Sequence, residues 1–300
     1  MLRHSSCRAS DARRHPDGWP SDVGTPCERA ADSSVAANAS RSLAAAMMPD
    51  LSCRGRWDEE LMPSLLELVL EANGAARFAS VSHVTAVVDY GGTFWDLKGH
   101  PSFAGSAIVE ASAHRQWIRQ TDVVGGRQMI FDRSLDRITV MDRNGEVIEE
   151  LHSPRRTFGG YTRHSPWSEG QVAYFRCYTT WHYLVEPFVF AVPGITSGEI
   201  DEHAEHGEHW RGLCVTFPDG VDSHNQTQLY YFDDAYHLRR TDLQPEVNDY
   251  SPTAQYVHDH VEIDGITLPT KRRVHMRRLD RSPDTSRTPI TVELSGIQFS

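Results

Sequence analysis

The chain has 300 residues and a formal net charge of −11, with 41 Asp and Glu against 30 Lys and Arg. That acidity argues against nucleic acid and anionic membranes as partners, because both are held through basic surfaces. A membrane-spanning helix needs roughly 18 or more uninterrupted apolar residues, and the most apolar stretch, YLVEPFVFAVPGI, is broken by Glu186, Pro187 and Pro193.

Residues 1–61 contain no Phe, Tyr, Ile or Lys, whereas all 11 Phe and all 10 Tyr lie beyond them. A segment with so little apolar surface cannot offset the entropy of ordering it, so disorder is expected there. Met62 opens MPSLLELVLEANG, a clean helix start, and the first 61 residues therefore read as a disordered extension or a mis-assigned start. The folded domain is expected over 62–300. No basic start followed by an apolar run opens the chain, so a cytoplasmic protein is expected. Cys7, Cys27 and Cys53 fall in the tail, and Cys177 and Cys214 are far apart without CxxC spacing, so no disulfide framework is expected.

The domain opens with a predicted helix: Pro63 suits its first turn, Leu65, Leu66, Leu68, Val69 and Leu70 give an apolar face, and Asn73-Gly74 stops it. Strands follow in VSHVTAVVDYGG, SAIVEASAH, RQWIRQTDVVGG, RQMIFD and DRITVMDRNGEVIEEL, punctuated by GG and NG turns. WSEGQVAYFRCYTTWHYLVEPFVFAVPG differs. Ser168 can cap it and its aromatic residues recur at helical spacing, which predicts one long helix or two broken at Pro187. Being apolar almost all round, it is expected to be buried.

Further hairpins follow, among them QTQLYYFDDAYHLRRTDL. In DHVEIDGITLPTKRRVHMR a two-residue turn at Asp264-Gly265 sets the register. Ile263 then faces Ile266, His260 Pro269, His258 Lys271 and Tyr256 Arg273. Lys271, Arg273, His275 and Arg277 point away from the core, and Arg272 points inward, paired with Asp259. About a dozen antiparallel strands with few helices predict a mainly β (α+β) fold: a single curled antiparallel sheet, or incomplete β-barrel, with helices on its concave side.

The leading helix LLELVLEANG, the strand SHVTAVVDY and the hairpin MDRNGEVIEE carry a resemblance, as do the aromatic helix, the pair CVTFPD and LYYFDDAYHLRR, and the closing YVHDHVEIDGITLPTKRRV. Together they make the chain similar to the LolA/LolB-like and LppX-like superfamily of incomplete β-barrels, and closer still to a soluble bacterial set that shares these phrases. The resemblance implies a hollow between sheet and helix that takes acyl chains. Here it would be lined by Trp95, Tyr174, Tyr178, Trp181 and Phe188.

Three groups of polar residues compete for a chemical role. DEHAEHGEHW (201–210) sets His203, His206 and His209 at a three-residue interval among carboxylates. Zinc needs about four converging ligands. Gly207 makes this an exposed hairpin turn, in which alternation puts His203 and His209 on one face and His206 on the other, so no metal is expected. His258, His260 and His275 share a face, but Lys271 opposite His258 puts a positive charge where a cation would sit. Tyr178, His182 and Glu186 recur at i, i+4, i+8, so a carboxylate can orient an imidazole that acts as general base.

The leading expectation is non-enzymatic binding of an apolar or amphipathic small molecule in the hollow, without a cofactor. The alternatives are an enzyme using His182 in the same hollow, and a module whose apolar helix docks a partner.

Overall fold

The computed structural model describes residues 63–300; the expectations for residues 1–61 lie outside them. Strands β1 (His83–Gly91), β2 (Gly105–Ser112), β3 (Trp117–Asp122), β4 (Gln128–Asp132), β5 (Arg137–Met141) and β6 (Val147–His152) form one meander. A second is made by β7 (Thr196–Glu205), β8 (Glu208–Thr216), β9 (Thr227–Phe232), β10 (Leu238–Leu243), β11 (Thr253–Ile263) and β12 (Ile266–Arg277). The short β13 (Pro283–Asp284) pairs with β12, and β14 (Ile290–Phe299) lies between β12 and β1, joining the meanders into one 14-stranded sheet. All pairings are antiparallel. The sheet curls without closing, and β6 and β7 are its two edges.

Between those edges the chain crosses as α4 (Glu169–Val185), which packs against β3 to β6 inside the curl. Every residue from Gly170 to Val185 is buried, as expected, and polar members such as Arg176 and Thr180 find partners within the core, Asp122 and the Arg176 carbonyl. A capping box starts it: the Gln171 N–H donates to the Ser168 hydroxyl at 3.2 Å, and the Ser168 N–H donates to Gln171 Oε1 at 2.9 Å. Pro187 ends it, because a proline disfavours helical backbone at the residue before it, and Glu186 is extended at ψ 137°. A short 3-10 turn, Phe188–Ala191, follows, so the segment holds one α-helix.

At the front, α1 (Leu65–Ala72) begins two residues after Pro63, the residue expected in its first turn. Ser64 caps it through a second capping box with Glu67, which leaves Pro63 outside the first turn. Asn73 and Gly74 stop it as expected, Gly74 adopting φ +86°. The short α2 (Ala75–Phe78) and α3 (Phe94–Leu97) complete the helices. Leu65 and Val69 of α1, Phe78 of α2 and the apolar residues of α4 share one core with inward residues of the sheet such as Val84, Ala86 and Val88. A smaller cluster on the other face of the second meander holds Trp210, Cys214, Leu229 and Tyr231.

The β11–β12 hairpin has the expected register, from Ile263 opposite Ile266 to Tyr256 opposite Arg273. One pairing differs. Asp259 is exposed and binds Lys271 at 2.7 Å, while Arg272 is fully buried, 4.0 Å from Glu186 and with its guanidinium 4.1 Å from the centre of the Tyr183 ring. The inward arginine is met by the end of α4, and the aspartate faces water. The β7–β8 hairpin turns at His206 and Gly207, both at positive φ. Its register places His203 opposite Trp210 and Ala204 opposite His209. Directly opposed residues share a face, so His203 and His209 lie on opposite faces, against expectation. Alternation counted straight along the chain fails at a two-residue turn.

Candidate functional site

Because α4 lies over the first meander, its other side looks across the curl toward β10, β11, β12 and β14. A cleft of about 400 Å³ remains there. Phe175 and Tyr183 of α4 form one wall, with Phe94 and Leu97 of α3 beside them. Opposite stand Leu243, Val274, Met276 and Ile290, with Thr253 and Gln255 among them. Arg163 and His164 of the loop before α4, and Ser286 and Arg287 of the loop before β14, stand at its mouth, where all four are exposed. An apolar interior with a few polar groups is the usual composition of a small-molecule site.

Two buried polar groups shape this cleft. His224 is 8% exposed, its ring packs against Phe175, and Nδ1 lies 3.3 Å from the Tyr178 hydroxyl. Burial, helped by the electrostatic influence of His182, Arg155 and Arg272, pushes its pKa down to about 3, so the imidazole is neutral. Lys98 is fully buried beneath the mouth loop, donating to the carbonyls of Arg163 at 2.8 Å and Ser165 at 3.4 Å, with its ammonium 4.3 Å from the centre of the Trp167 ring. Burial holds it down to about 8, the distant Asp249 offsetting only part of this.

The five aromatic residues expected to line the hollow stand elsewhere in the core. Trp181 donates to the Ser112 carbonyl at 2.9 Å, Trp95 donates to the Gly91 carbonyl at 3.1 Å, and the Phe188 ring stacks 4.0 Å from Phe78. The Tyr174 hydroxyl donates a hydrogen bond to Asp222 at 2.9 Å, and Tyr178 turns to His224. None of them borders the cleft. Periodicity showed an aromatic helix but not which arc would face the gap, which is why it did not single out Phe175 and Tyr183; His224 comes from the loop between β8 and β9.

Of the acid/base stripe, His182 and Glu186 do meet, with Nδ1 3.4 Å from Oε1. His182 Nε2 donates to the Asp222 carbonyl at 2.9 Å, and Glu186 accepts the Tyr230 hydroxyl at 3.1 Å. Both are buried, and neither borders the cleft nor the second, polar hollow of about 300 Å³. In that hollow Arg155 is already neutralised by Glu246 at 2.7 Å and by Asp222 at 3.5 Å. The Cys177 thiol is buried and pushed up to about 12 by desolvation, which leaves it unreactive.

His203, His206 and His209 go separate ways. His203 is engaged by the Arg240 guanidinium at 2.8 Å, and burial and that cation lower its pKa. His206 occupies the exposed turn, and His209 lies 3.7 Å from Glu202. Among the described residues no three such side chains are grouped to hold a metal ion.

No family model and no curated protein matches the chain. Among solved structures it is similar to a LolA superfamily protein from Nitrosomonas europaea, with 11% identity, TM-score 0.48, and coverage of 79% of this chain and 94% of that one. It is also similar to an outer membrane lipoprotein-sorting protein domain from Vibrio parahaemolyticus, with 10% identity, TM-score 0.39 and coverage of 78% and 92%. A third is lipoprotein LppX from Mycobacterium tuberculosis, with 11% identity, TM-score 0.27 and coverage of 77% and 93%. The fold is LolA-like. At such identities the likeness concerns the LolA-like fold alone. The cytoplasmic expectation is corrected: these neighbours are named as an outer-membrane sorting protein and a lipoprotein. No helix among the described residues is long and apolar enough to cross a membrane.

Proposed function

We propose that this protein binds one apolar or amphipathic small molecule, without chemical turnover, in the cleft between α4 and strands β10, β11, β12 and β14. The observation that carries this reading is the cleft itself. Its volume of about 400 Å³ falls in the roughly 300–1,000 Å³ range of small-molecule sites, and its walls are mainly apolar with a few polar groups such as Thr253 and Gln255. The enzyme alternative lacks support because His182 and Glu186 are sealed from both hollows. The docking alternative lacks it because α4 is buried along its length and offers no apolar face to a partner.

The test is titration with a neutral apolar probe, N-phenyl-1-naphthylamine, whose fluorescence rises on leaving water. Val274→Trp places an indole in the cleft and is expected to abolish the signal, at an overpacking cost of about 1–3 kcal/mol. Trp181→Ala, away from the cleft, is expected to destabilise by about 3–5 kcal/mol yet keep the probe affinity. Probe binding that survives Val274→Trp and vanishes in a folded Trp181→Ala protein would move the site away from this cleft.

A further inference from the structure

Resting on the binding reading above, we infer that the cleft selects a single-chain amphiphile with an anionic head, the head being held at the mouth by Arg163 and Arg287. The chain as a whole carries a net charge of −11, so unneutralised arginines facing a cleft need a reason. Two arginines that reach the interior are committed: Arg155 to Glu246 at 2.7 Å and Arg176 to Asp122 at 2.7 Å. The two at the mouth are not. Among the described residues neither Arg163 nor Arg287 has a carboxylate within ion-pair distance, and Arg163 Nε donates instead to the neighbouring His164 ring at 3.0 Å. The one acid beside them in the lining, Asp284, pairs with Arg278 at 3.2 Å and with the Ser286 hydroxyl at 2.7 Å, and Arg287 reaches it only by longer-range attraction without contact.

The geometry behind the mouth fixes the rest of the ligand. Phe175, Val274, Met276 and Ile290 of the lining offer no charge to a second head. A volume of about 400 Å³ lies at the small end of ligand sites, so one chain or ring system fits rather than several. The mouth loop is anchored from beneath, since Lys98 holds the Arg163 carbonyl at 2.8 Å and His275 Nδ1 lies 2.9 Å from the Arg287 carbonyl. Both guanidiniums therefore project from fixed backbone, and a planar fork of donors suits a carboxylate or phosphate.

The experiment is calorimetric titration of the full chain with decanoate, decyl phosphate, decanol and decyltrimethylammonium at low salt, repeated on Arg163→Gln/Arg287→Gln. Decanoate or decyl phosphate is expected to bind about tenfold more tightly than decanol, decyltrimethylammonium more weakly still, and the anion preference to fade as salt is raised. Whichever of the two anions binds better identifies the head. The double variant is expected to bring the anions to the affinity of decanol while leaving decanol unchanged, which also shows that it is folded. Equal affinity of all four for the wild type overturns the anionic-head inference but keeps the binding reading. An anion preference that survives the double variant overturns the assignment to these arginines. Failure of all four to bind overturns the binding reading itself.

Discussion

At the scale of single residues, His224 gives the cleft a measurable signature. Its imidazole sits neutral against Phe175 with its pKa pushed down to about 3, whereas in the unfolded chain it titrates near 6.5. Between those values the unfolded chain binds a proton that the folded one does not, so stability falls as pH falls through that window. His260, held down to about 4 by burial and by His237, acts in the same direction. One proton is about 1.4 kcal/mol per pH unit. Chemical denaturation between pH 4.5 and 6.5 is therefore expected to give a slope shallower by about that amount in His224→Phe than in the wild type. An unchanged slope would mean that His224 is not buried and neutral. The sequence held little of this: His224 lies in a polar loop, PDGVDSHNQT, and nothing local announces that it will pack under α4. The aromatic residues of the helix were legible as a set, but burial on all sides hides which two border a gap.

At the scale of elements, short-range turn chemistry was the most legible information in the sequence. Asp264-Gly265 set the β11–β12 register over the whole hairpin because a two-residue turn leaves no freedom in the pairing. The same rule at His206-Gly207 explains why His203 and His209 part. The stop of α1 shows how such signals also do tertiary duty. Gly74 is at φ +86°, and a Cβ there would lie 1.9 Å from the Gly265 carbonyl oxygen in the β11–β12 turn. The adjacent Asn73 carbonyl accepts from the Thr267 N–H at 3.1 Å, which fastens the helix end to that turn. Gly74→Ala is expected to cost about 2 kcal/mol or more, from left-handed backbone and from the lost approach. Thermal denaturation checks it, and a loss within a few tenths of a kcal/mol would show that α1 does not dock there. Arg272 was read correctly as inward, but its partner was not, since Glu186 is 86 residues away at the end of another element.

At the scale of the whole molecule, the curled sheet leaves its edges β6 and β7 apart and passes α4 between them. The resemblance of the sequence to LolA-like chains carried that architecture, and composition alone supported a mainly β chain with one buried helix. The cleft could not be read in the same way: its walls come from segments around residues 94, 164, 175, 224, 250, 275 and 287, brought together only when β14 joins the two meanders. The central claim is that the apolar ligand lies in this cleft, and photolabelling locates it most directly. A neutral decyl diazirine probe, irradiated with the full chain and mapped by peptide mass spectrometry, is expected to mark Phe175, Tyr183, Met276 and their neighbours, with labelling competed by decanol. Labels confined to the polar hollow around Arg133 and Arg155, or scattered over exposed strands and indifferent to decanol, would contradict the account.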